Sequence, residues 1–347
     1  MKIIPRILVS ALLAAGLAMP LAAADPKPLF AEDTPLKLTI TAPFGDIVSG
    51  AKRNTDPHPA LIARTGTAER HAIQLSARGK SRRQRDACRF PPLRVDFDGK
   101  PDAPSVFAGQ NRLKLVTHCR DSDRYQQHAL LEYAAYRLYA ALTLESLNVR
   151  LADIAYIDAE SGKTIAERTG FFIEDTDHAA RRLDIKELDI SPPSVAALDN
   201  GAAGRIAVFQ YMIGNLDWSM VDATAGAHCC HNMKVIGAEN STTGLIPVPY
   251  DFDQAGLVDA PYAAVAPSLG SQDVTLRRYR GFCRHNHAAL ETARDLRGRQ
   301  AELTTLAMNI SGLSDRTKKK LDRFLAAFFA DIATDSDTEK KLLKKCR

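Results

Sequence analysis

Residues 113–142, LKLVTHCRDSDRYQQHALLEYAAYRLYAAL, contain the change of period that decides the fold. Leu113-Lys114-Leu115-Val116 alternates like a half-buried strand. From Tyr125 to Leu142 the apolar residues Leu130, Leu131, Ala134, Ala135, Leu138, Ala141 and Leu142 recur three and four apart, which predicts an amphipathic helix of about five turns. Towards the N-terminus, the period-two runs Leu36–Ile40, Ala72–Ala77 and Leu93–Phe97 predict half-buried antiparallel strands, punctuated by Asp98-Gly99-Lys100-Pro101 and Ala108-Gly109-Gln110-Asn111. Towards the C-terminus, Asp153–Asp158 and Thr164–Ile173 predict two more strands turning at Ser161-Gly162. After Glu174-Asp175 the pattern becomes helical: Ala179–Leu188, Gly204–Ile213, Glu291–Leu313 and Arg316–Leu343, with short strands at Met233–Ile236 and Leu245–Tyr250. The expectation is an α+β chain with a sheet-rich lobe over residues 25–175 and a helical lobe over 176–347.

Composition narrows the function classes. With 347 residues, 45% hydrophobic and 25% charged, the chain can bury a large core. It has no recurring period or biased tract, which excludes collagen, repeat arrays and disordered tails. Ile7–Ala24 is the one long apolar stretch. It follows Lys2 and Arg6 and ends in Ala22-Ala23-Ala24, so a cleavable signal peptide over 1–24 fits better than a membrane span. Its loss removes two basic residues and no acidic one, lowering the formal charge from +5 to +3. So small an excess does not suit a nucleic-acid binder. The runs Lys80–Arg85 and Lys318–Lys320 read as solvated faces. Export to the periplasm or beyond predicts disulfides among the six cysteines: Cys88 with Cys119, and Cys229 or Cys230 with Cys283, with Cys346 free or paired with what remains.

The chemistry-bearing stretch is residues 210–256, with QYMIGNLDWSM at 210–220, HCCHNMKVI at 228–236 and IPVPYDFDQAG at 246–256. Asp217 follows a buried helix, Asn232 enters a short strand, and Asp251 ends the next one. Phosphoryl transfer needs such a set: a carboxylate to orient or deprotonate the attacking hydroxyl, and hard oxygens on fixed supports to hold Mg²⁺. His228, Cys229, Cys230 and His231 also allow a zinc reading.

The elements Asn215-x-Asp217, His231-Asn232 and Pro249-Tyr250-Asp251-Phe252-Asp253-Gln254-x-Gly256 resemble the spore coat protein H (CotH) group of secreted atypical kinases. Ser76-Ala77-Arg78-Gly79-Lys80-Ser81 is similar to that group's Arg-Gly-polar-Ser loop. The resemblance implies a two-lobed protein-kinase-like fold, with an antiparallel sheet lobe, one packed helix and a mainly helical lobe. It implies ATP and Mg²⁺ as cofactors and a hydroxyl-bearing acceptor as partner. Asp217 would be the catalytic base or hydroxyl-orienting group, and Asn232, Asp251 and Asp253 the metal ligands. Lys114 would reach the phosphates, held by Glu132. Arg78 and Gly79 would cover the phosphates, and the link Phe172–Asp175, Glu174 included, would meet the adenine. The sequence departs from the group in having Tyr250 for the usual Trp, a Cys229-Cys230 pair, and Arg94 as a rival to Lys114. An inactive, disulfide-bonded binding protein of the envelope or exterior is the alternative.

Overall fold

The computed structural model describes residues 25–223, 229–265 and 273–347, so the expected leader and His228 lie outside it. Seven strands carry the period-two pattern: β1 (Leu36–Ala42), β2 (His58–Arg64), β3 (Arg70–Ala77), β4 (Leu93–Phe97), β5 (Arg112–Val116), β6 (Val149–Asp158) and β7 (Thr164–Ile173). They close into a barrel in the order β1-β2-β3-β4-β5-β7-β6. This closed, mixed barrel overturns the expected antiparallel sheet lobe of a two-lobed kinase-like fold. The reason lies in β6, whose ten residues pair antiparallel with β7 on one edge. Its other edge pairs parallel with β1 from Leu36↔Ala152 to Ala42↔Asp158. That second ladder removes both free edges. Leu38, Ile40, Ile73, Leu75, Val95, Leu115, Tyr156 and Phe172 fill the interior, capped by Phe44 of α1 (Phe44–Gly50), whose ring meets Phe90 and Tyr156. Neither α1 nor β2 was expected from the pattern.

Helix α2 (Asp123–Leu142) starts at Ser122, whose hydroxyl accepts the Tyr125 amide. It lies outside the barrel and belongs to a second core. Alternation along β7 divides the two cores: Phe172 points inward, while Phe171 and Ile173 face outward onto α2. The second core continues into α4 (Asn200–Met212) through Ile206, Phe209 and Met212. Between them the expected helix 179–188 divides into α3 (Thr176–Arg182) and β8 (Lys186–Leu188), with Asp184 in the left-handed region at φ 57° where the chain turns. Strand β8 edges a small antiparallel sheet with β9 (Met233–Gly237) and β10 (Ile246–Pro249), in the order β10-β9-β8.

The two long C-terminal helices expected from the pattern are each broken. The first becomes α5 (Asn286–Gly298) and α6 (Gln300–Met308), and the second α7 (Asp315–Asp331) and α8 (Asp335–Lys341). Thr334 caps α8 by accepting the Asp337 amide, a local restart that apolar periodicity does not show. Among the described residues no helix is long and apolar enough to cross a membrane.

All six cysteines are paired. Cys88–Cys119 is as expected, but Cys283 joins Cys346 and Cys229 joins Cys230. The C-terminus explains the correction. Arg347 and the 281–283 segment exchange two backbone hydrogen bonds of 3.0 and 3.1 Å, which sets Cys346 beside Cys283 with Cα atoms 5.0 Å apart. The sulfurs of a zinc site are thereby spent on each other.

Candidate active cleft

The open end of the β9–β10 hairpin builds the centre of the site. Met233 pairs with Pro249, and the Tyr250 amide donates to the Asn232 carbonyl at 3.1 Å, which brings Asn232 and Asp251 to the same end of the hairpin. Both have positive φ, 51° and 60°. Asn and Asp tolerate that region best among residues with a side chain, and such backbone clusters at functional sites. The Tyr136 hydroxyl of α2 accepts the Asp251 amide at 2.9 Å and fixes this corner from behind.

Asp217 arrives from the end of α4. Gly214, at φ 64°, ends the helix, and the Asn215 side chain accepts the Asp217 amide at 2.9 Å. The carboxylate is then held twice. His231 Nε2 donates to Oδ1 at 2.5 Å, and Asn232 Nδ2 donates to Oδ2 at 3.0 Å. The hydrogen bond to Asp217 raises the His231 pKa against the opposing effect of burial, which favours imidazolium. Asn232 spends its nitrogen on Asp217 and keeps Oδ1 for other partners.

Asp217, His231, Asn232, Asp251 and Asp253 line one cleft of about 880 Å³, facing Arg78, Gly79, Lys80 and Ser81 across the opening. Gly79 has φ 88° and open space where a side chain would start, so that loop can approach a ligand with its backbone. Lys234 lies on the far wall, paired with Glu187 at 2.8 Å. Lys114, on β5, lies beneath with its ammonium 5.0 Å from the Tyr250 ring centroid. Burial, aided by repulsion from Arg78, lowers its pKa to about 8. Arg94 turns away to a bidentate pair with Asp96 at 2.7 and 3.0 Å.

Two expected residues are placed otherwise. Glu132 does not hold Lys114; it takes Arg82 Nη1 at 3.0 Å. Glu174 does not line the cleft. It is buried, accepting from Arg182 at 3.2 Å and from the Asn148 amide at 2.9 Å.

The residue that sequence reasoning missed is Arg82. Inside the run expected to be a solvated face, its side chain is only 7% exposed, and it also pairs with Asp251 at 2.5 Å and Asp253 at 3.0 Å. Burial opposes its charge, but Asp253, Glu132 and Asp251 outweigh burial and hold the guanidinium well above its ordinary pKa. The carboxyls divide. Burial would raise Asp251, yet Arg82, Arg78 and Lys114 hold it below the usual range, whereas burial pushes Asp253 well above its own. Asp251 therefore meets the cleft ionised. His231 was also missed as a partner of Asp217, since the His231-Asn232 pair and the neighbouring cysteines gave it no such role.

Comparison with known proteins found no matching family model and no similar curated protein.

Proposed function

We propose that this cleft transfers a phosphoryl group from a nucleoside triphosphate to a hydroxyl acceptor. One observation carries the reading: a single cleft joins a basic wall (Arg78, Lys80, Lys234, with Lys114 beneath) to an oxygen-bearing wall (Asp217, Asn232, Asp251, Asp253). Polyphosphate needs the first and a hard cation the second. The site's order along the chain is what this reading keeps of the likeness to the spore coat protein H group; the barrel plays no part in it.

The donor set suits Mg²⁺, being all oxygen. Among the described residues no three His, Cys, Asp or Glu side chains stand as a ready metal cage. Asp251, Asp253 and Asn232 Oδ1 would hold Mg²⁺, and it would neutralise charge on the transferred group. Asp217, anchored by His231 and Asn232, accepts the acceptor's hydroxyl proton. The acceptor oxygen bonds to the γ-phosphorus, and the bond to the bridging oxygen breaks to release the diphosphate. Three disulfides support action in an oxidising compartment outside the cytosol.

The test is phosphate incorporation, read by mass spectrometry on the mature chain incubated with ATP and Mg²⁺, alone and with a panel of hydroxyl acceptors. Asp217→Asn keeps both hydrogen-bonded neighbours close to their places and should lower incorporation by about 10²-fold or more. An unchanged rate in that variant would remove Asp217 from the chemistry.

A further inference from the structure

Arg82 spends all three of its guanidinium nitrogens on carboxylates from two parts of the chain, Glu132 on α2 and Asp251 and Asp253 after β10. Three carboxyl groups thus share one cation. Glu132 is 2% exposed, and its second oxygen, Oε1, is buried with no hydrogen-bond partner. Native interiors seldom leave such an acceptor orphaned. Asp251 and Asp253 meanwhile line the cleft, so the cluster can be reached from it although Arg82 itself is sealed.

We propose that Glu132, Asp251 and Asp253 form a site for a hard divalent cation, Mg²⁺ or Mn²⁺, and that Arg82 is its resident counter-ion, displaced when the cation enters. This deepens the proposed function and takes from it only the identity of the cation. Glu132 becomes a third carboxylate ligand rather than the partner of a phosphate-binding lysine. The physical argument is one of size and charge. A planar guanidinium spreads its carboxylates around three separate nitrogens, wider than the roughly 2.0–2.1 Å shell that Mg²⁺ demands. The oxygens must therefore close in after the guanidinium leaves. Until then Arg82 neutralises a cluster that would be costly to bury unpaired, and it sets a threshold that a bare cation crosses poorly. A triphosphate lowers that threshold by supplying further oxygens and by offering the freed guanidinium a bidentate partner.

The test is Mn²⁺ titration of the mature chain without nucleotide, followed by electron paramagnetic resonance. Arg82→Gln should bind one Mn²⁺ at least about tenfold more tightly than wild type, and adding Glu132→Gln should reverse most of that gain. Unchanged or weaker binding in Arg82→Gln, or a double variant that binds as tightly as the single one, would overturn the proposal. If Arg82→Gln does not fold in chelator, it is refolded with Mn²⁺ or with Na⁺ at equal ionic strength and followed by near-ultraviolet circular dichroism. Recovery with Mn²⁺ alone supports a cation site, and no recovery overturns it. Because no nucleotide is present, the result stands or falls independently of phosphoryl transfer.

Discussion

Lys114, against the Tyr250 ring beside the cleft, gives the proposed phosphate binding a pH dependence. Burial disfavours its charged form and brings its pKa down to about 8 from an ordinary value of 10.5. Below about pH 8 the ammonium is charged and attracts phosphate; above it the side chain loses its proton and that attraction. ATP affinity should therefore fall as pH rises from 7 to 9. Lys114→Arg, which cannot deprotonate in this range, should flatten the profile. Calorimetric titrations at several pH values check this, and an equally steep profile in the arginine variant would remove Lys114 from phosphate binding. Asp217, Asn232 and Asp251 were legible in the sequence because each ends an element and carries an oxygen. Arg82 was not, because a buried arginine and a solvated one look alike within Ser81-Arg82-Arg83. Only the distant carboxylates of Glu132, Asp251 and Asp253 distinguish them.

At the scale of elements, the approach of α4 to α5 depends on one glycine. A Cβ at Gly204 would lie 2.7 Å from the Ala289 nitrogen and 2.8 Å from the Ala288 Cβ, so Gly204→Ala must push the helices apart. We expect a loss of about 1–3 kcal/mol despite the better helix propensity. Gly45 in α1 has ordinary φ and nothing within 4 Å of its missing Cβ, and Gly45→Ala should gain up to about 1 kcal/mol. Urea unfolding of both variants reads the opposite signs, and equal signs would contradict this account of the packing. Periodicity identified β1, β3 to β7 and α2, and apolar content identified α4, which is buried on nearly every side. Periodicity could not locate the breaks inside the C-terminal helices, because the apolar stripe runs on through them; a capping residue, Thr334, marks only the second. Nor could it reveal the parallel β1–β6 ladder, since alternation fixes which face a residue takes and not which strand lies at its edge.

For the molecule as a whole, the Cys283–Cys346 bridge clasps the C-terminal helices into one loop with a sequence separation of 63. Loop-closure entropy assigns such a bridge about 4 kcal/mol. The Cys283→Ala/Cys346→Ala variant should therefore lose stability on that scale in denaturant unfolding, while keeping the cleft, whose residues lie elsewhere. Loss of ligand binding in a variant that still unfolds cooperatively would show instead that the C-terminal helices reach the site. The cleft itself draws on both halves of the chain, with the Arg78–Ser81 loop from the barrel and Asp217 to Gln254 from the helical half. The claim that these segments form one polyphosphate and cation site is tested most directly by calorimetry of ATP with Mg²⁺ on wild type and on Asp251→Asn, in parallel with their melting curves. The account predicts one ATP bound per wild-type chain and no measurable binding in the variant, with cooperative melting in both. No ATP binding to the wild type, or equal binding to a folded Asp251→Asn, would contradict it.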